Sequence, residues 1–243
     1  VRTLTQVLYA QLCWDANTVS DSFIDEYFEL RYGQYGDGMK EVYALIEEAW
    51  KYISSWRAWD QKSVLSRLLN WNGKKPDKGL EFDDHFRSID NAIAEGKKSV
   101  QLMKKALEKM KKLYRNAGSL EDCAKFKDHS AAVNPVQAHE MEIRSMYELR
   151  IGEDRRLHIY GLDTITLMTE FLKYYDALKK DDVSESVKVW RKIEEVSDKM
   201  DSYFLPIGYE WPGVGIESKD ALTRSQLRIL VKRCRMQRNL IMN

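Results

Sequence analysis

One long stretch without proline constrains the fold of this chain more than any other feature. Between positions 136 and 179 there is no proline, and glycine occurs only at Gly152 and Gly161. Proline breaks a helix interior, whereas a single glycine only weakens it. Toward the end of the stretch, apolar residues recur every three or four positions, at Ile165, Met168, Leu172, Tyr175 and Leu178. This spacing predicts one long amphipathic helix, with a bend at a glycine.

The same spacing predicts helices along most of the chain, and no segment shows the two-residue alternation of a strand. A short first helix ends at Trp14, Thr18 is expected to cap the second helix, and Gly33 is expected to end it in a left-handed conformation. Further helices are predicted over 39–59, 84–116, 120–127, 183–204 and 219–240. We therefore predict an all-α fold of about seven to eight helices in an antiparallel, bundle-like array.

Apolar stripes on these helices predict which side chains are buried. In the second helix the expected buried face consists of Val19, Phe23, Tyr27 and Leu30. In the third helix it consists of Met39, Val42, Tyr43, Ile46, Ala49, Trp50 and Ile53, and in the helix over 183–204 of Val189, Ile193, Val196 and Met200. Trp14, Trp50 and Trp190 lie on or beside such stripes and are predicted to be core residues. The segment 205–217 holds two prolines and three glycines, and is predicted to be an extended loop.

Composition excludes several classes of protein. The 39 basic residues balance 38 acidic ones, for a net charge of +1, which argues against a dedicated nucleic-acid binder. The longest apolar run is the five residues 42–46, too short to span a bilayer. Cys13, Cys123 and Cys234 are far apart, form no metal-binding pair and are expected to be buried or half-buried free thiols, with one long-range disulfide as the alternative. Because Val1 lies inside a predicted helix, we expect the sequence to be part of a longer protein.

Motifs for catalysis are not convincing in this chain. His139 and Glu140 begin a metalloprotease-like pattern, but position 143 is Ile143 where a second histidine is needed. The glycine-rich segment 32–38 lacks the Lys-Ser/Thr tail of a phosphate loop and is predicted to link two helices. Adjacent carboxylates on exposed helix faces are solvated and point apart, unlike the separated pair of a glycosidase. We therefore predict no catalytic residue, no metal site and no cofactor.

Three aromatic residues in loop-like segments are candidates for carbohydrate binding. Trp211, Tyr209 and Trp71 lie where the chain is predicted to be irregular, and an exposed ring can stack on a sugar face. Loop tryptophans also cover cores, and that alternative stays open. The basic last helix, which has no acidic residue after Asp220, is the second candidate surface, for an anionic partner.

The N-terminal stretch carries a family signature. Positions 8–15 read LYAQLCWD, positions 23–28 read FIDEYF, and positions 31–33 read RYG. This resembles a pattern in large bacterial glycoside-hydrolase-like proteins, at the point where the catalytic barrel is followed by a C-terminal helical domain. Similar segments occur in α-glucuronidase-like and α-N-acetylglucosaminidase-like proteins. The chain looks like an uncharacterised helical family of Bacteroidetes-type polysaccharide-degrading systems, with the specific part over 4–33 and a weaker likeness over 163–204.

The resemblance implies a function for the whole chain. Residues 1–243 would form one non-catalytic C-terminal accessory domain, and a sub-boundary near 116–136 stays open. Such a domain supports the upstream barrel of the same polypeptide, which carries the catalytic carboxylates, and frames its cleft for a poly- or oligosaccharide. None of the family's catalytic residues maps onto this chain. The resemblance also implies a periplasmic or extracellular location. The alternative is an independent glycan- or partner-binding helical module.

Overall fold

The computed structural model describes residues 2–15, 17–53, 68, 71–74, 89–118, 135–210 and 219–242. None of these residues lies in a strand, so the all-α prediction is confirmed. The described helices are α1 (Arg2–Trp14), α2 (Ser20–Tyr32), α3 (Gly36–Ile53), α4 (Ile89–Gly118), α5 (Pro135–Lys179), α6 (Val183–Glu210) and α7 (Lys219–Met242), with a short 3-10 helix at Gly33–Tyr35 between α2 and α3. No helix in this described part is both long and apolar enough to cross a bilayer.

Helix α5 confirms the long helix predicted from the sequence, and the bend predicted at a glycine stays a prediction. It spans 45 residues and begins at Pro135, where the absent N–H would have no helical partner in any case. Both Gly152 and Gly161 lie inside it. The turn that follows is closed by Asp181, the non-glycine residue with a positive φ of 58°. Asp182 then accepts a hydrogen bond from the backbone N–H of Glu185 and caps the first turn of α6.

Several predicted boundaries differ from the structure. Helix α3 begins at Gly36, inside the segment 32–38 that was predicted to link two helices. Helix α6 continues to Glu210 and includes Pro206, so the loop predicted from 205 onward is wrong over 205–210. An internal proline removes one N–H donor and bends a helix locally, and a helix already established from Val183 continues past it. Thr18 is not the cap of α2: Val19 holds that position without a side-chain bond, and the Thr18 hydroxyl instead accepts a bond from the Gln11 amide at 3.3 Å.

Some predictions fall on residues that lie outside the described part. They concern the end of the third helix beyond 53, the start of the fourth before 89, the short helix over 120–127, and the loop over 211–217. The end of α2 is within the described part, and there Gly33 has the expected positive φ of 53°, but its ψ of −128° lies outside the left-handed helical region that was predicted. A β-carbon at Gly33 would lie 2.5 Å from the ring of Tyr147, so this close approach also requires glycine.

The chain divides into two compact units, each discontinuous in sequence. Unit 1 comprises Val1–Ala49 and Gln101–Ile159, and unit 2 comprises Trp50–Val100 and Tyr160–Asn243. Helices α3, α4 and α5 therefore each contribute residues to both units. The single accessory domain over 1–243 and its sub-boundary near 116–136 stay predictions.

The core of unit 1 forms around the aromatic end of α2 and the apolar stripe of α3. The stripe is buried as predicted, at Met39, Val42, Tyr43, Ile46 and Ala49. The predicted face of α2 is only partly right: Phe23 and Tyr27 are half-buried, but Val19 and Leu30 are 64% and 70% exposed. The residues of α2 that are fully buried are Phe28 and Tyr32. Phe28 stacks on Tyr32 at 5.7 Å and meets Tyr43 edge-on at 5.2 Å, and this aromatic packing sets the orientation of α2.

The core of unit 2 follows the predicted stripes closely. The α5 residues Ile165, Met168, Leu172 and Tyr175 are buried, and so are the α6 residues Val189, Ile193, Val196 and Met200. Trp190 is fully buried as predicted, with the ring of Tyr174 at 5.2 Å and the Arg238 guanidinium carbon 5.9 Å from its centroid. Trp50 is half-buried, whereas Trp14 is 90% exposed and is not a core residue.

Candidate functional site

A buried polar cluster joins α2, α3 and α5 within unit 1. We call it the Asp154 cluster, and it consists of Arg31, Tyr32, Tyr43 and Asp154. The hydroxyl of Tyr32 donates to Asp154 Oδ2, and the hydroxyl of Tyr43 donates to the same oxygen at 3.2 Å. Arg31 Nη2 lies 3.6 Å from Asp154 Oδ1, and Arg31 Nε donates to the Tyr32 hydroxyl at 3.0 Å. The carboxylate is 7% exposed, and both of its oxygens are engaged.

The phenols of this cluster serve as hydrogen-bond donors. Burial raises the pKa of Tyr32 and Tyr43, and the nearby Asp154 carboxylate raises it further. Both phenols therefore keep their protons at neutral pH and stabilise the buried carboxylate. The cluster resembles a structural network that fixes three helices, since no group in it is poised to give up a proton.

His158 lies one turn beyond Asp154 on α5, also buried. Its ring meets Tyr43 edge-on at 5.7 Å, and its Nε2 has no hydrogen-bond partner in the described part of the chain. Burial lowers the pKa of His158 to about 3, so the imidazole is neutral at physiological pH. It contacts aromatic side chains as an apolar group would.

An open pocket of about 490 Å³ lies against α1, α2 and α5 in unit 1, close to the Asp154 cluster. We call it the α1–α2 pocket, and it is lined by Gln11, Phe23, Glu26, Tyr27, Leu30, Arg31 and Arg150. Arg150 Nη1 donates to the carbonyls of Leu30 at 3.2 Å and Arg31 at 2.8 Å. These carbonyls belong to the last turn of α2, where helix carbonyls have no partner within the helix, so Arg150 caps α2 from outside.

Five apolar side chains along α1, α2 and the turn between them are exposed. We call them the α1–α2 apolar surface, which comprises Tyr9, Leu12, Trp14, Val19 and Leu30, with exposed fractions of 70%, 36%, 90%, 64% and 70%. All five fall within the segment 4–33 that carries the family resemblance. Cys13, between Leu12 and Trp14, is also exposed, so the expected burial of this thiol is wrong.

The structure places the three predicted carbohydrate-binding residues very differently. Trp71 is 5% exposed, its indole N–H donates to the Lys74 carbonyl at 2.9 Å, and its ring meets Tyr175 edge-on at 5.2 Å. In this arrangement it covers the core of unit 2, the alternative that its loop position left open. Tyr209 lies in α6 with its side chain outside the described part, and Trp211 lies outside it altogether. Sugar stacking by Tyr209 and Trp211 stays a prediction.

Possible metal ligands and thiols lie apart from one another in the described part of the chain. There, no three His, Cys, Asp or Glu side chains are grouped as metal ligands would be. Cys234 is buried, and burial raises the pKa of its thiol to about 12, which makes it an unreactive core residue. Cys123 lies outside this part of the chain.

Comparison with protein-family models, curated proteins and solved structures gives no match to the chain. The resemblance at 4–33 therefore stays a prediction from the sequence.

The sequence analysis did not predict the Asp154 cluster or the α1–α2 pocket, although the sequence contains one pattern that indicates a polar face on α5. Arg150, Asp154 and His158 are spaced by four along α5 and so share one helix face. Polar residues in that register, on a helix long enough to cross a core, indicate a buried network. Their partners on α2 and α3 lie more than 100 positions away and could not be named from the spacing.

Proposed function

We propose that this chain is a non-catalytic C-terminal helical domain of a carbohydrate-degrading, glycoside-hydrolase-like enzyme. It supports the catalytic barrel ahead of it and frames one side of the substrate cleft. The observation that carries the proposal is the exposure of Trp14, 90% open to solvent in the segment with the family resemblance. The same proposal implies a periplasmic or extracellular location.

The α1–α2 apolar surface supports a docking role. Isolated apolar side chains on a surface are ordinary, but a tryptophan and a tyrosine exposed within one short segment are typical of interfaces. Truncation of a buried tryptophan at an interface commonly costs about 2 kcal/mol or more of binding free energy. The preceding barrel is the partner we propose, because the resemblance concerns the junction between the two domains.

The Asp154 cluster supports a rigid scaffold behind this surface. Tyr32 and Arg31 at the end of α2 are held to Asp154 on α5, so the helix that presents Val19 and Leu30 is tied to the core of unit 1. A surface fixed before contact loses less conformational entropy on docking. In unit 2 the buried Asp163 is likewise engaged, by Lys199 at 2.9 Å.

The test uses the parent polypeptide with its native upstream sequence, compared with the 243-residue chain alone. In the parent, Trp14→Ser is expected to lower the melting temperature of the barrel and its glycoside hydrolysis. In the chain alone, the same change should alter the free energy of unfolding by less than about 0.5 kcal/mol, because Trp14 is solvated there.

Val183→Ser provides the matched control. Val183 is 73% exposed at the start of α6 in unit 2, outside the segment with the resemblance. This variant should leave the barrel's melting temperature and activity unchanged. Glycoside hydrolysis by the chain alone would contradict the proposal, and so would equal effects of the two substitutions.

The second candidate is an independent module for an anionic partner, favoured by α7. Its described part exposes Arg228, Lys232, Arg233 and Arg235, and Arg235 Nη2 lies 3.4 Å from Glu194. The alternative form of this second candidate is a glycan-binding module, and it would be favoured if the isolated chain bound a glycan and lost that binding in Trp211→Ala. If the chain is a scaffold for the barrel, the isolated chain is expected to bind neither an anionic partner nor a glycan.

A further inference from the structure

We propose that the α1–α2 pocket binds a small organic carboxylate with an apolar body. Leu30 belongs both to this pocket and to the α1–α2 apolar surface, but ligand binding by the 243-residue chain alone needs no barrel, so failure of one proposal leaves the other intact. Its volume of about 490 Å³ is within the range of small-molecule sites. Its lining combines an apolar wall with guanidinium groups, the combination that an amphipathic anion requires.

Arg150 is the anchor for the ligand's charge. Its Nη1 is occupied by the carbonyls of Leu30 and Arg31, which fixes the guanidinium in place at the pocket wall. Its Nε and Nη2 take part in no hydrogen bond within the described part of the chain, and no carboxylate there pairs with it. A half-buried guanidinium with a free edge of two donors matches the two oxygens of a carboxylate.

Tyr27 supplies part of the pocket wall through its half-buried ring. Its hydroxyl has almost no solvent-accessible surface and no hydrogen-bond partner in the described part of the chain, so it is closed to the open pocket and does not serve the ligand. The ring remains as a flat apolar surface on which the body of the ligand can pack.

The remaining residues define the ligand's size and charge. Phe23 and Leu30 supply apolar contacts for a hydrocarbon or aromatic body. Arg31 is already committed to Asp154 at 3.6 Å, and Glu26 adds a negative charge to the lining. The pocket therefore offers the charge of Arg150 against that of Glu26, which suits a monoanion and disfavours a phosphate dianion.

The test is calorimetric titration of the whole chain with hydrocinnamate at neutral pH and low salt. The neutral amide hydrocinnamide tests the need for the charge, acetate tests the need for the apolar body, and inorganic phosphate tests for a general anion site. Hydrocinnamate is expected to bind with a Kd of about 1 mM or tighter, and each of the other three at least about fivefold more weakly.

Two exposed positions allow variants that leave the core intact. Glu26→Gln removes the opposing charge and is expected to tighten hydrocinnamate binding by about threefold. Leu30→Glu places a negative charge at the pocket and should weaken binding by about fivefold or more. Glu29→Gln is the matched control, since Glu29 is exposed on the same helix but does not line the pocket, and it should change nothing. Circular dichroism and melting temperature check that all three variants are folded.

Three outcomes would overturn the proposal. The first is no binding of hydrocinnamate by the folded chain up to tens of millimolar, and the second is equal binding of the amide or of phosphate. The third is an equal effect of Glu26→Gln and Glu29→Gln, which would indicate long-range charge and not a site. Tightening by the first substitution and none by the second would support it.

Discussion

The hydroxyl of Tyr32, at the last residue of α2, donates a hydrogen bond to the carboxylate of Asp154 in the middle of α5. The two residues are 122 positions apart in the chain. Asp154 also accepts from Tyr43 and lies beside Arg31, so one buried carboxylate joins three helices of unit 1. The stability of this unit should therefore depend strongly on a single side chain.

Asp154→Ala should destabilise the chain by about 3 kcal/mol, because it leaves a half-buried guanidinium and two buried phenols without their acceptor. Tyr32→Phe removes one donor and should cost about 1 kcal/mol. Urea unfolding followed by circular dichroism measures both. Asp37→Asn, an exposed carboxylate of the same unit, serves as the control. Equal midpoints for Asp154→Ala and Asp37→Asn would contradict the role of the cluster.

His158 should make stability depend on pH in a defined window. The unfolded chain takes up a proton at the ordinary histidine pKa of 6.5, whereas the folded chain resists it down to about 3 because the ring is buried. Below pH 6.5 the unfolded state therefore binds more protons than the folded state. As the pH is lowered through this range, the free energy of unfolding decreases by up to about 1.4 kcal/mol per pH unit.

The measurement compares urea midpoints of the wild type and His158→Leu at pH 8, 7, 6 and 5. Between pH 8 and 7 the urea midpoints of the two proteins should change by the same amount, since His158 is neutral in both the folded and the unfolded state. Between pH 6 and 5 the wild type should lose stability faster than the variant. Identical slopes across the whole series would show that this histidine is not kept neutral by the fold.

In the Asp163–Lys199 pair of unit 2, loss of the lysine should lower the free energy of unfolding more than loss of the aspartate charge. Burial raises the pKa of Asp163, and Lys199 opposes that shift through a hydrogen bond at 2.9 Å. Lys199→Gln leaves a buried carboxylate without this cation and should cost about 1–2 kcal/mol. Asp163→Asn removes the buried charge and should be nearly neutral, and combined with Lys199→Gln it should recover most of the loss.

Lys188→Gln is the control for that pair, because Lys188 is 78% exposed in its ion pair with Glu185. Exposed pairs contribute little, so this variant should change the free energy of unfolding by less than about 0.5 kcal/mol. Additive effects in the double variant at 163 and 199 would mean that the two groups are not coupled.

Gly73 should tolerate no side chain. Its φ is 81°, and a β-carbon there would lie 2.8 Å from Cα and 2.9 Å from N of Cys234, which are backbone atoms of α7. Gly73→Ala should therefore cost about 2 kcal/mol or more in thermal or urea unfolding, because α7 would have to move. Lys74→Ala, an exposed neighbour in the same turn, should be near neutral, and a loss as large as that of Gly73→Ala would point to a fragile loop instead.

Helix type and the long apolar stripes could be read from the sequence because they are local and periodic. The α3 stripe from Met39 and the α6 stripe from Val189 were predicted correctly, since many residues agree on one face. The face of α2 was predicted only in part, because Val19 and Leu30 are apolar and fit the helical spacing but lie on the exposed side. Its orientation depends on the contact of Phe28 with Tyr43, which belongs to another helix.

The candidate sites depend still more on distant residues. The spacing of Arg150, Asp154 and His158 could have indicated a polar face on α5, but Tyr32 and Tyr43 could be named as its partners only from the structure. Trp71 shows the reverse case: its segment was correctly seen as irregular, yet its ring is covered by Tyr174 and Tyr175 of α5. Local pattern identifies a loop and does not tell which side of it faces the core.

Unit 1 is assembled from two segments separated by 51 positions of unit 2, because it ends at Ala49 and resumes at Gln101. During synthesis the apolar stripe of α3 emerges from the ribosome long before Asp154 does. More than one hundred further residues must be synthesised after the first 49 before the core of unit 1 can be completed. A growing chain of this kind carries unpaired apolar surface until the second segment of unit 1 has been made, and truncation at any single codon leaves at least one unit incomplete.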